Sequence, residues 1–240
     1  MKKFQKIFII GIFVVLFFTG CSEKDDEIKI SESSSLKDMI EKSKNVENIY
    51  YEVLAEYQKP AYAKSVGKIW INDEKERQEL DLSGRKLVVF IDEKKKDYVS
   101  YSPDDKSGNK MELTDELITQ NSPFGLIEGL DEKEINGFKK IDNKKIKGKD
   151  CYVFEGEISD NQKYESNGLK DIKYKVYYEI KSNIIVQMEI YSEEKVITKV
   201  EVTKMKLDSV KDDDVKKQIP DNVKLKEVSL DVEIYTTEMC

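Results

Sequence analysis

The 240-residue chain contains no histidine, which removes both the commonest general base and the commonest zinc ligand. Arginine is nearly as scarce. Of 41 basic residues only Arg77 and Arg85 are Arg, a bias that bears on the source of the chain and not on its chemistry. Three cysteines are too few for a dense disulfide framework. No apolar run is long enough to cross a bilayer: "IFIIGIFVVLFF", residues 7 to 18, has 12 residues where a membrane helix needs about 20. Basic charge is outweighed by 48 acidic residues, a formal net charge of -7. Such a balance disfavours nucleic acid and anionic membrane surfaces as partners.

What is present begins with the setting of that short run. Lys2, Lys3 and Lys6 precede it, and the small residues Thr19 and Gly20 follow, which are the three parts of an export signal. The ending "FTGC" resembles the bacterial lipobox, with Phe18 where Leu is usual. That resemblance implies a lipoprotein signal peptide over residues 1–20 and fatty acylation (palmitate) of Cys21, which becomes the first residue of the mature chain. Two or three acyl chains hold a protein stably at a membrane, where one chain binds only marginally. The expected location is the outer face of the cell membrane. Losing three signal lysines takes the net charge from -7 to -10. Residues 22–35, "SEKDDEIKISESSS", are polar and without apolar periodicity, so residues 21–35 read as lipidated Cys and flexible tether. Residues 36–240 are left as one domain. The preference for Lys over Arg, with abundant Ile and Asn, is the bias of an AT-rich Gram-positive genome.

The domain opens with a short helix, "SSSLKDMIEKSKN", with Ser at the cap and Leu36, Met39 and Ile40 at helical spacing. Past Val46 the period becomes two. Ile49, Tyr51, Val53, Ala55 and Tyr57 fall on one face against Glu52 and Glu56; Ile69 and Ile71 alternate with Lys68 and Trp70. Three short strands parted by "SGR" and "EKK" follow. In 171–207, Ile172, Tyr174, Val176, Tyr178 and Ile180 form one apolar series, Val186, Met188 and Ile190 a second, and Val196, Val200 and Val202 a third, with turns at "KSN" and "SEEK". One apolar and one wet face argue an antiparallel meander, since parallel strands covered on both sides read as continuous apolar runs. The interruption at 113–135, with Leu117, Ile118, Phe124, Leu126, Ile127 and Leu130, supplies short helices started by Thr114 and by Ser122-Pro123 to cover the apolar face. The fold class read here is mainly β (α+β), a curved antiparallel sheet forming an incomplete β-barrel plugged by short helices.

The succession "GKIWIND", "GRKLVVFIDEKKKDYVSYSPDD", "SPFGLIEGL", "IKGKDCYVFEGE", "KYKVYYEIKSNIIVQMEIY" and "IPDNVKL" resembles the LolA-like lipoprotein superfamily over about residues 36–228. The resemblance implies a half-barrel around helices with an apolar cavity that in several relatives holds acyl chains. Others in the superfamily are envelope-stress sensor domains and a clostridial spore-germination lipoprotein that partners a cortex amidase. The candidate cavity residues are Val53, Ile69, Ile71, Phe124, Leu126, Tyr174, Val176, Tyr178, Val186, Met188, Ile190 and Val200. The first reading is a membrane-anchored, non-catalytic binder of an acyl-chain ligand or lipoprotein in that cavity; the alternative is a protein-interaction module of the cell envelope. For the second, the doublets Tyr50-Tyr51 and Tyr177-Tyr178 place Tyr50 and Tyr177 outward as a candidate partner surface.

No catalytic, cofactor or metal site is expected. "SEEK" formally matches Ser-x-x-Lys but falls in a turn, and a chain with 39 lysines gives such matches by chance. Asp212, Asp213 and Asp214 of "KDDDVKK" are consecutive and so do not converge on one ion; they read as a helix N-terminus. "SPDDKSGNKMEL" lacks EF-hand spacing and reads as a hairpin turn. Cys151 shares a strand face with Val153 as a buried thiol, and the 89 positions to Cys240 leave a disulfide between them undecided.

Overall fold

A computed structural model describes residues 31, 33–58, 62–157 and 168–228. The expected signal peptide, Cys21, most of the expected tether and Cys240 lie outside the described residues. The helix expected first is α1 (Leu36–Ser43). Ser35 caps it by a reciprocal pair of bonds: its hydroxyl accepts from the Asp38 N–H at 3.2 Å, and the Asp38 carboxylate accepts from the Ser35 N–H at 2.7 Å. Leu36, Met39 and Ile40 are its buried side.

The period-two segments form one twelve-stranded sheet, curved and not closed into a barrel. A first antiparallel meander runs through β1 (Asn48–Tyr57), β2 (Ala63–Asn72), β3 (Lys75–Leu82), β4 (Arg85–Asp92), β5 (Asp97–Ser102) and β6 (Ser107–Glu112). Three short helices follow, α2 (Asp115–Asn121), α3 (Gly125–Glu128) and α4 (Glu132–Gly137). A second meander then runs through β7 (Lys139–Ile146), β8 (Lys149–Gly156), β9 (Lys173–Glu179), β10 (Ile184–Ser192) and β11 (Lys195–Leu207). β1 pairs with β11 and joins the two, and β12 (Lys224–Glu227) adds a parallel strand beside β6. Bulges interrupt the register between Glu52 and Val53, Ile185 and Gln187, Ile190 and Tyr191, and Lys140 and Asp142. Each adds local twist, which curls the sheet around its apolar side.

The expectation of a wholly wet outer face is corrected over β8 and β9, where Val153 and Tyr177 face outward together and are 0% and 5% exposed, and again over β4 and β5. Val88, Phe90 and Tyr101 point away from Val89, Ile91 and Tyr98, yet they are buried against Ile219, Val223 and Leu225. The covering segment is the strap after β11. Asn48 ties it down twice, donating from Nδ2 to the Val210 carbonyl and accepting the Val210 N–H at Oδ1, both at 2.9 Å. Asp212 accepts from Asn72 at 2.8 Å. "KDDDVKK" is therefore not a helix start. The Asp214 carboxylate closes a turn on the Lys211 N–H at 2.8 Å, and the segment continues extended across the sheet.

One glycine is fixed by a close approach. A Cβ at Gly156 would stand 2.6 Å from the ring of Phe138, the residue that follows α4 and is 6% exposed. Gly156→Ala is expected to push that ring out of the core and cost about 1–3 kcal/mol by overpacking, read as a lowered urea midpoint; an unchanged midpoint would mean that Phe138 has room to yield.

Candidate functional site

Paired residues of an antiparallel ladder share a face, so the registers define the concave side. Met188 lies opposite Val176 and Val200, Ile190 opposite Tyr174, and Val53 opposite Val202. On the far side of β1, Tyr51 faces Ile69 and Ile49 faces Ile71. Helix α1, Phe124, Ile127, Ile135 and Phe138 join these side chains in one core. The candidate cavity residues Val53, Ile69, Phe124, Tyr174, Val176, Tyr178, Met188, Ile190 and Val200 are brought together there, each between 0% and 7% exposed. Ile71 packs against them half-buried. One candidate stands elsewhere. Leu126 is 43% exposed on the outer side of α3, and its neighbour Ile127 takes the inward position at 0%. Val186 is 3% exposed and part of the same core, although as the extra residue of the β10 bulge it has no register partner in β9; it also borders a small pocket of about 110 Å³ with Ile146, Lys149 and Glu201.

Polar groups cross the seam between sheet and helices. Buried Gln78 donates from Nε2 to the Glu76 carboxylate at 2.6 Å and to the Asn121 carbonyl at the end of α2 at 3.0 Å. Tyr98 donates to Asn121 Oδ1 at 3.3 Å. Burial pushes the Glu76 carboxyl up to about 7 against the Gln78 bond that favours its charged form, with Glu128 adding to the rise. Burial also raises Glu128, opposed by its bond to Ser122 and by Lys44. The Tyr51 phenol is held well above its ordinary value by desolvation and then by the charges of Glu76 and Glu128. Sequence alternation places Glu76 and Gln78 inward, but the burial of Gln78 and the half-burial of Glu76 depend on α2 and α3 lying over β3, which no local pattern signals.

The candidate partner residues occupy the outer face. Tyr50 is half-buried, its ring 5.2 Å from Trp70, its hydroxyl donating to Glu52 at 2.5 Å, and Lys204 sits 5.5 Å above the ring. Arg77 stacks on Trp70 at 5.1 Å, pairs with Glu79 and donates to the Asp214 carbonyl of the strap at 3.4 Å. Tyr177 faces outward by register but is only 5% exposed. Its hydroxyl donates to Glu189 at 2.7 Å, the carboxylate that also accepts from Tyr191 at 2.5 Å and Gln187 at 3.0 Å. A satisfied polar cluster therefore stands where an open tyrosine was expected. Cys151 is a free thiol among the described residues, 1% exposed, and burial pushes it up to about 11, with the Glu179 charge second. No group of three or more Cys, Asp or Glu among the described residues is arranged to hold a metal ion. No helix among them is long and apolar enough to cross a membrane.

No protein-family model matches the chain, and comparison with curated proteins returns no match. Among solved structures, an uncharacterized conserved protein from Thermus thermophilus is similar over 80% of this chain and 99% of its own, with a TM-score of 0.53 and 10% identity. The MucA/MucB complex of Pseudomonas aeruginosa is similar with a TM-score of 0.47 and 10% identity over 76% of this chain; the chain spans 59% of that protein's length. A LolA superfamily protein from Nitrosomonas europaea matches with a TM-score of 0.33 and 12% identity over 77% of this chain and 99% of its own. What the Thermus thermophilus likeness shows is fold alone, a curved antiparallel sheet with short helices.

Proposed function

We propose that the chain is a non-catalytic, lipid-anchored module of the cell envelope that acts by binding a protein partner. The observation that carries this reading is the filled interior. Tyr174, Tyr178, Phe154 and Val176 are each no more than 1% exposed, in contact with the same core as α1 and the helices after β6. An acyl chain on the concave face would have to displace side chains already packed at core density. Against catalysis stand the missing histidine and a buried Cys151 thiol raised to about 11, since the thiolate is the nucleophile and a thiol so placed holds its proton. Attachment rests on the "FTGC" signal, and the resemblance to envelope-stress sensors and a spore-germination amidase partner suits a tethered domain that meets proteins at the membrane face.

The runner-up, an acyl-chain binder, draws on the placement of the cover. α2 packs Leu117 and Ile118 against Val89, Ile91 and Tyr98 and adds two polar ties from Asn121 to Gln78 and Tyr98, and a cover made by one short helix is a candidate for swinging aside. Native mass spectrometry of residues 22–240, produced without the lipid and purified gently, decides between the two. A clean protein mass with no uptake of added phospholipid is the expected result. A co-purifying acyl species would overturn the protein-partner reading in favour of the lipid one.

A further inference from the structure

The twelve-stranded sheet does not close, so it has two edges, and β7 is one of them: among the described residues it pairs with β8 alone. An edge strand offers N–H and C=O groups outward on alternate residues, ready to pair with another extended segment. β7 and its turn are basic on an acidic protein. β7 itself carries four lysines and one aspartate, a local charge of +3 where the whole chain carries -7, while Lys147 and Lys149 just after it are paired with Glu201 and Glu179. Six of the eight residues of β7 are exposed, and Ile141, the extra residue of its bulge, is 50% exposed. The ion pairs made within this edge are exposed and weak, Lys144 to Asp142 at 3.8 Å and Lys145 to Asp150 at 3.5 Å, so an incoming carboxylate can exchange for them at little cost.

These features select the occupant. A second copy pairing through the same edge would set lysines against lysines, and like charges facing across a ladder are unfavourable. A neutral strand gains nothing from the flanking charge. We propose that the free edge of β7 is the partner surface of this protein and that it takes an extended, acidic segment of another protein by strand addition. Backbone pairing supplies the affinity, Lys139, Lys144 and Lys145 select acidic residues at the flanking positions, and Ile141 offers one apolar contact. This deepens the protein-partner reading and rests on it.

The probe is a fluorescein-labelled nonapeptide of alternating Val and Glu, compared with one of alternating Val and Lys, in anisotropy titrations against the mature domain, with amide hydrogen exchange followed over β7. The expected result is binding of the Glu peptide alone, with exchange slowed at β7. Binding should weaken at least tenfold in the triple variant Lys139→Glu, Lys144→Glu, Lys145→Glu, which should in turn accept the Lys peptide; that exchange of preference also shows that the variant is folded. Several results would overturn the proposal: no binding of either peptide, binding that leaves β7 exchange unchanged, affinity indifferent to the charge reversal, β7 amides already protected in dilute free protein because the chain's own residues 158–167 cover the edge, or protection that grows with protein concentration because a second copy does. Each of these removes the edge as the surface while the protein-partner reading stands, because that reading falls only to an acyl species in the native mass.

Discussion

Phe154→Ala is expected to lower the free energy of unfolding by about 3–5 kcal/mol, the cost of deleting a ring from a core that does not collapse around the space. Phe154 is 1% exposed, sits opposite Val176 in the ladder between β8 and β9, and shares its face with Tyr152, Tyr174 and Tyr178. The informative partner is Leu126→Ala on α3. Leu126 belongs to the same apolar cover by sequence, but it is 43% exposed, and its loss should register within about 0.5 kcal/mol. Urea denaturation of both variants measures the difference, and it bears on function. Were the concave face arranged around a ligand-sized void, truncating Phe154 would only widen a space already present. A loss under about 1.5 kcal/mol would then follow, and the filled-interior argument would fail with it.

The same pair of residues shows where the sequence is legible. Period-two runs such as Tyr174, Val176 and Tyr178 declare both strand and face, because a strand buried on one side has no other way to arrange its side chains. The turns at "SGR", "KSN" and "SEEK" separate real strands, and Ser35 caps a real helix. Reading fails where the outcome depends on contacts distant in the chain. Val186 and Met188 alternate without a break in sequence, yet the β10 bulge leaves Val186 without a partner in β9 and sets Ile185, not Ile184, opposite Tyr178. Tyr177 alternates outward as read, but Glu189, Tyr191 and Gln187 close around it. In a segment of four residues such as α3, the choice of Ile127 over Leu126 for burial is made by tertiary packing. The β1–β11 pairing joins segments about 150 residues apart in sequence, and no local pattern encodes it. Nor does any local signal announce that "DDD" belongs to a strap held by Asn48 and Asn72, or that β12 returns beside β6 in parallel.

Glu76→Gln is expected to remove a pH dependence of stability that the wild-type chain carries between about pH 4.5 and 7. Glu76 lies on the inner side of β3, opposite Ile71 and Ile91, and burial raises its carboxyl to about 7 from an ordinary 4.5. The groups that bear on it are Gln78 from its own strand, Glu128 from α3 and Glu93 beyond β4; the buried Tyr51 phenol of β1 feels the charges of both Glu76 and Glu128, and Lys44 after α1 bears on Glu128. A carboxyl that holds its proton more tightly folded than unfolded leaves stability untouched below about pH 4.5. It withdraws stability as pH rises towards 7 and no further above that. A rise of about 2.5 pH units corresponds to on the order of 3 kcal/mol, or roughly 6–12 °C in melting temperature for a domain of this size. Glutamine keeps the carbonyl that accepts from Gln78 and cannot ionise, so the variant should match wild type near pH 4.5 and melt higher at pH 8. Melting curves at half-unit steps measure it, and parallel pH profiles for the two proteins would sink the assignment. The consequence reaches the cover of the concave face, because the same Gln78 amide that bonds Glu76 also bonds the last carbonyl of α2. A charge at Glu76 draws on that amide and repels Glu128 in α3, so the loss of stability at neutral pH should appear first as faster hydrogen exchange in α2 and α3, while β9 and β10 remain protected.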